Sequence, residues 1–325
     1  MKQLLCEKYK PTTLSEFKYG IDTIQSLQLI QRQQLYNLLI VGENGSGKTT
    51  LLNYFIDEYF GNIPKSHINE NILVVKQMKD ISIQYFRSDI KIFCQSYSTI
   101  RNKKKVIVID DIDNIQEQNQ QILRSFIDHY GKSLFFIVTC THTNKVLHCL
   151  QSRLHIFTLP KVTSSQIDSI ANEVFKRESI NITPQAKVIL TCISNNSIRK
   201  LHTYLQLFYL YDNDIDEINI FEICNTIPFM KLESFFKEIR MKHVMEAYDI
   251  LKEFVENGYS CIDIYEHIFL FLKQDCSLDE DFKYWIVQKL AYYMYIFHEI
   301  HEDNIELLYF TFATSKYSGK MAISV

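Results

Sequence analysis

The residues GENGSGKTT (42–50) directly follow the apolar run LLIV (38–41), and no other stretch restricts the fold as strongly. Three glycines within positions 42–47 force a tight turn and leave backbone N–H groups uncovered. LLIV reads as a buried strand, and TTLLNYFIDEYF (49–60) reads as a helix. A strand, a glycine loop and a helix in that order are the context in which the spacing G-x4-G-K-[ST] cradles phosphates. The bare amides face the phosphate oxygens, Lys48 reaches the β and γ phosphates, and the Thr49 hydroxyl ligands Mg²⁺. The sequence therefore places a nucleoside triphosphate on Gly42, Glu43, Asn44, Gly45, Ser46, Gly47, Lys48, Thr49 and Thr50.

Mg²⁺ also requires a carboxylate, and a hydrolytic site requires a group that orients water. VIVIDDID (106–113) supplies both at the end of a β-branched strand, Asp110 for the metal and Asp111 for the water. LFFIVTC (134–140) and IFTLP (156–160) read as two more buried strands, with a helix predicted over 115–130. Strands alternating with helices imply an α/β domain, a parallel sheet with helices on both faces.

After Pro160 the strand signals stop. SSQIDSIANEVFKRE opens on a serine suited to an N-cap, ITPQAKVILTCI has Thr183 and Pro184 in the same role, and SIRKLHTYLQLFYLY makes a third helix. DNDIDEIN (212–219) reads as a polar connection, and from about 229 onward the pattern is one of long, aromatic-rich helices. The expected organisation is a nucleotide-binding domain at 1–160, a helical lid at 161–226 and an all-α domain at 227–325.

A net charge of −3 excludes a uniformly basic nucleic-acid binder, so any such contact must come from a local patch. None of the eight cysteines form CxxC, which excludes a zinc ribbon. The N-terminus is short and charged, and the apolar stretches near 265–272 and 289–297 are interrupted and short of a bilayer span. A soluble intracellular protein with no membrane partner is expected. His142, His148 and His155 lack ligand spacing, and Lys103–Lys105 reads as a solvated loop.

Several segments, in order along nearly the whole chain, resemble the small subunits of replication factor C, clamp-loader ATPases of the AAA+ class. CEKYKPTTLSEF resembles the family's opening, VIDDIDN its Walker B segment and QQILRSFIDHY the helix after it. VTCTHTNKVLHCLQSRLHIFTLP resembles the sensor 1 strand with the arginine-finger segment, and SNNSIRKLHTYLQ the sensor 2 helix of the lid. HVMEAYDILKEFVENGYSCIDIYEHI and YYMYIFHEIHEDNIELLYFTFAT resemble the helical collar. The resemblance implies Thr141 as sensor 1, Arg199 as the sensor 2 phosphate contact, and Arg153 as a finger acting on a neighbour's ATP. It implies Tyr9 and Pro11 beside the adenine, and Arg87, Lys91 and Arg124 as DNA-backbone contacts. The partners it implies are the other subunits of a hetero-pentamer, a sliding clamp and primer–template DNA. The expected compartment is a nucleus if the source is an ordinary eukaryote, or a viral replication site, which the Asn/Ile/Lys-rich composition of an AT-rich genome fits.

The chain departs from that family at identifiable points. Asp110-Asp111 replaces Asp-Glu, which shortens the water-orienting carboxylate by a methylene and implies weak intrinsic hydrolysis. Thr141 replaces the usual asparagine, Leu154 a cysteine, Lys10 an arginine, and KDIS (79–82) a stretch that ends in glycine. Two alternatives follow: a weakly hydrolysing structural subunit that donates Arg153, and another AAA+ remodeller or helicase loader.

Overall fold

The computed structural model describes residues 4–61, 63–75, 83–211, 214–274, 278–299 and 303–321. The chain divides into two compact units, residues 1–223 and 224–325.

The first unit is built on five strands: β1 (Leu38–Val41), β2 (Ile72–Val75), β3 (Lys105–Ile109), β4 (Leu134–Cys140) and β5 (His155–Thr158). All pairings are parallel, in the order β2-β3-β4-β1-β5. The central strands are apolar throughout because both faces are covered. Alternate residues divide between two cores. Leu39, Val41, Ile107, Ile109, Phe136 and Val138 pack with Ile90, Leu123 and Phe126, from the helices Ile83–Gln95 and Glu117–Tyr130. Leu38, Ile40, Val106, Val108, Phe135 and Ile137 pack with Leu27, Leu51 and Phe55, from the helices Ile21–Arg32 and Lys48–Phe60. The order places β1 between β4 and β5, far from its chain successor β2. Crevices at the carboxyl ends of strands at such a reversal are where α/β sheets hold ligands.

Some details differ from the sequence reading. β2 is an edge strand whose Val74 is exposed, so its signal is short and weak. The helix expected from 115 begins at Glu117, because Ile112–Asn114 first form a 3₁₀ turn. The cap of the helix Ser164–Glu178 is Thr163 rather than a serine, in a reciprocal capping box with Gln166. Within the acidic stretch, Ile215 is buried and bridges Ile182, and a helix starts at Glu217. Lys103–Lys105 is not a solvated loop. Lys103 Nζ donates to the Tyr59 carbonyl, Lys104 Nζ lies 4.7 Å from the centre of the Phe135 ring, and Lys105 is buried with its Nζ donating to Ser96 Oγ. KDIS (79–82) lies outside the described residues.

The second unit is helical, comprising Phe229–Met241, Val244–Glu256, Cys261–Gln274, Glu280–Glu299 and Asn304–Met321. Many of its aromatics are core, while Tyr284, Tyr292, Tyr295, Tyr309 and Phe312 are exposed. Phe235, Phe254, Tyr265 and Phe310 are fully buried, and Phe236 stacks on Phe271 with ring centres 5.5 Å apart. Among the described residues, no helix is long and apolar enough to cross a membrane.

Candidate nucleotide site

The glycine loop leaves β1 at Gly42, whose N–H donates to the Cys140 carbonyl at 3.2 Å. Gly45 and Gly47 have φ of +78° and +95°, which a side chain would strain. Gly45 is constrained twice, because a Cβ there would meet Ser197 Oγ at 2.2 Å. Its carbonyl accepts the Ile198 N–H at 3.1 Å, so the loop touches the start of the helix Ile198–Tyr211.

Lys48 opens the following helix and is buried, its Nζ donating to the carbonyls of Gly42 (2.9 Å) and Glu43 (3.1 Å). Burial lowers its pKa, while Asp111, Asp113 and Asp110 oppose that shift. Ser46 Oγ is buried without a partner in the same loop. An ammonium, an unpartnered hydroxyl and turned-out amides form a donor set for an anion, and a triphosphate fits it.

Asp110 follows β3. Its carboxylate accepts from Thr139 Oγ1 at 2.7 Å, and both of its oxygens lie 3.4 Å from Thr49 Oγ1. A hydroxyl and a carboxylate side by side are hard oxygen ligands of the kind Mg²⁺ takes. Asp111 is held in the left-handed region at φ +52°, its N–H donating to Thr139 Oγ1 at 2.9 Å. Burial first, and then Asp110, raise the Asp111 pKa, with Lys48 acting against them.

Sequence reasoning passed over Asp113, which the structure places centrally. Its buried carboxylate accepts from the hydroxyl and the N–H (3.2 Å) of Thr141 and from the His142 N–H (3.3 Å), while Oδ1 has no partner. Burial pushes its pKa up, but the hydrogen bonds from Thr141 and His142 outweigh that and hold it below the usual range. Thr141 therefore gives its one hydroxyl proton to Asp113. It retains lone pairs with which to accept from water, and has no proton for a phosphate oxygen.

A cavity of about 800 Å³ runs from Asn44–Thr50 and Asp111 past Arg199 to Tyr9 and Pro11. That volume suits a nucleotide. Arg199, near the start of its helix, attracts Asp111 electrostatically. The Tyr9 hydroxyl donates to Glu178, which also pairs with Lys8 at 2.6 Å, and the Arg177 guanidinium lies 5.6 Å from the centre of the Tyr9 ring. Burial and the Glu178 bond push the Tyr9 phenol up to about 12, so it stays protonated.

Of the residues expected here, the structure brings together Tyr9, Pro11, Asn44–Thr50, Asp111 and Arg199, with Asp110 beneath Thr49. Gly42 lies under Ser46 and Leu159, and Glu43 turns away to pair with Lys161 at 2.7 Å. Arg153 does not line the cavity. Its guanidinium binds Asp128 and the Cys149 carbonyl (2.7 Å), and Arg124 approaches the same Asp128 at 3.7 Å. Lys91 is exposed on the helix Ile83–Gln95, which packs against the helix that carries Arg124; the side chain of Arg87, on the same helix, lies outside the described residues. Tyr19, Arg177, Glu178, His202 and Gln206 carried no local signal.

Phosphate loop, acidic strand end and five-stranded parallel sheet define an ATPase of the AAA class. Family models agree: residues 38–161 match the ATPase family associated with various cellular activities, and residues 227–308 match the replication factor C C-terminal domain. The chain is 25% identical to replication factor C subunit 2 of Arabidopsis thaliana over 82% of its own length and 80% of that protein's. It is 23% identical to the replication factor C small subunit of Sulfolobus acidocaldarius over 97% of its length and 98% of that protein's. The chain belongs to the replication factor C small-subunit family as a divergent member. Among solved structures, the Thermotoga maritima RuvB Holliday junction branch migration motor superposes with a TM-score of 0.52 at 15% identity, over 75% of this chain and 85% of that one; the likeness is one of fold alone.

Proposed function

We propose that the chain works as one ATP-driven subunit of a hetero-oligomeric clamp loader, which opens a sliding clamp and closes it on primer–template DNA. The observation that carries this is the single cavity joining the phosphate loop, the Arg199 helix and the N-terminal Tyr9 segment. A nucleotide there would touch the sheet end and the helices following residue 160 at once, so its hydrolysis changes what holds them together. In this reading the helices within 161–226 act as the lid, and residues 227–325 form a collar that joins subunits. Thr49 and Asp110 would hold Mg²⁺, which when bound would neutralise phosphate charge. Lys91 and Arg87, with Arg124, would follow the DNA backbone without reading bases. In a eukaryotic host such a loader works in the nucleus.

The decisive experiment is native mass measurement of the tagged protein, purified from its source with an ATP analogue. A hetero-pentamer with related ATPases that captures a ring-shaped clamp is expected. A closed homo-hexamer that holds no clamp would overturn the loader reading and leave the nucleotide site standing.

The short Asp111 carboxylate gives a further expectation. A water-orienting group displaced by about an ångström costs on the order of a hundredfold in rate. Asp111→Glu should therefore raise ATP turnover at this subunit's site in the assembled loader by about tenfold or more. Unchanged turnover would show that the length of this carboxylate does not limit hydrolysis.

A further inference from the structure

The helix Ile198–Tyr211 runs along the cavity wall, and three of its side chains mark positions along it. Arg199 stands at the phosphate-loop end, where Ile198 meets Gly45. Two turns further on, Gln206 Oε1 accepts the Leu5 N–H at 2.8 Å and ties the helix to the N-terminal segment that carries Tyr9. His202 lies between them, about 4.5 Å along the axis from Arg199. Its Nδ1 is closed off from the cavity and has no hydrogen-bond partner, which leaves Nε2 as the ring nitrogen that a molecule in the cavity can meet.

The same wall includes Val162, Ile170, Val174 and Leu207. Apolar side chains of this kind can cover the faces of a purine, but its ring nitrogens and amine still need polar partners once buried. The Tyr9 hydroxyl gives its proton to Glu178, so it has none left for a ring nitrogen.

We propose that His202 hydrogen-bonds the purine of the bound nucleotide and so sets how tightly the base, as distinct from the phosphates, is held. This rests on the cavity being the nucleotide site. Burial lowers the His202 pKa, so the ring is neutral and offers one donor and one acceptor. A neutral ring suits an uncharged base; it adds nothing to the attraction for phosphate that Lys48 and Arg199 supply.

The test is calorimetric titration of the full chain with Mg²⁺-ATP and, separately, with inorganic tripolyphosphate, which has phosphates and no base. His202→Leu should weaken ATP binding about tenfold, as loss of one buried hydrogen bond does, and leave tripolyphosphate within about twofold. His202→Gln, whose amide reaches the Nε2 position, should stay within about threefold of the unaltered chain for ATP. The proposal is overturned if His202→Leu leaves ATP affinity unchanged, or if ATP and tripolyphosphate weaken together in both variants, which is the signature of a packing role. Failure of the unaltered chain to bind ATP at all would instead remove the nucleotide reading beneath it.

Discussion

Lys48→Met should abolish tight ATP binding without unfolding the chain. The ammonium is the one basic group buried inside the loop, and the triphosphate brings charge to the point where it sits. Hydrogen bonds to charged groups contribute about 1.5–3 kcal/mol each, and Lys48 is placed to serve two phosphates. The expected loss is therefore about 3 kcal/mol or more, at least on the order of a hundredfold in affinity. The fold should survive because methionine keeps the apolar stem, and the two bonds lost run only to the loop carbonyls of Gly42 and Glu43. Removing the ammonium also removes the attraction it exerts on Asp111, so the Asp111 pKa should rise further. A carboxyl with a raised folded-state pKa contributes stability that is present below its unfolded value and is lost as pH rises through the folded one. The variant's melting temperature should accordingly fall more steeply than the unaltered chain's as pH rises out of the acid range. Titration calorimetry and melting curves read both effects. An ATP affinity within about threefold of the unaltered chain would show that the loop does not use its lysine.

Legibility in the sequence followed the range of the interactions. The phosphate loop is local, so its spacing and flanking apolar runs disclosed it. The parallel sheet was legible because β1, β3 and β4 are covered on both faces and read as unbroken apolar runs. What escaped depends on residues brought together from afar. Asp113 captures Thr141 across 28 residues, Glu178 holds Tyr9 across 169, and Gln206 holds Leu5 across 201. No periodicity encodes such pairs. The resemblance made Thr141 the sensor 1 residue, a position that can touch phosphate or water, and only the position of Asp113 shows which of these its proton permits. Lys105 misled for a related reason. Three consecutive lysines read as solvated, but their long stems reach aromatic rings and backbone carbonyls.

Arg153→Ala should leave this chain's own ATP affinity within about twofold and reduce hydrolysis in the assembled loader by on the order of a thousandfold at the affected site. The two halves of that expectation have different origins. Arg153 lies outside the cavity of its own chain and is held by Asp128 and the Cys149 carbonyl, so nucleotide bound here does not feel it. A guanidinium supplied across a subunit boundary stabilises the charge spread over the transferring phosphoryl group, and its removal costs 10³–10⁵ in rate. The pair with Asp128 does not prevent this. Both groups are partly exposed, and an exposed ion pair is weak enough to open when a more strongly charged partner arrives. Arg124 approaches the same carboxylate at 3.7 Å, so Asp128 keeps a cationic neighbour when Arg153 leaves. Arg153→Lys should not rescue the loss, because an ammonium cannot present the planar fork to two phosphate oxygens. Single-turnover hydrolysis in a loader reconstituted with the variant, beside nucleotide titration of the isolated chain, separates the two effects. Full hydrolysis in the reconstituted loader, or a large loss of ATP affinity in the isolated chain, would remove Arg153 from the role of finger and leave it as a surface contact of the helix that bears Asp128.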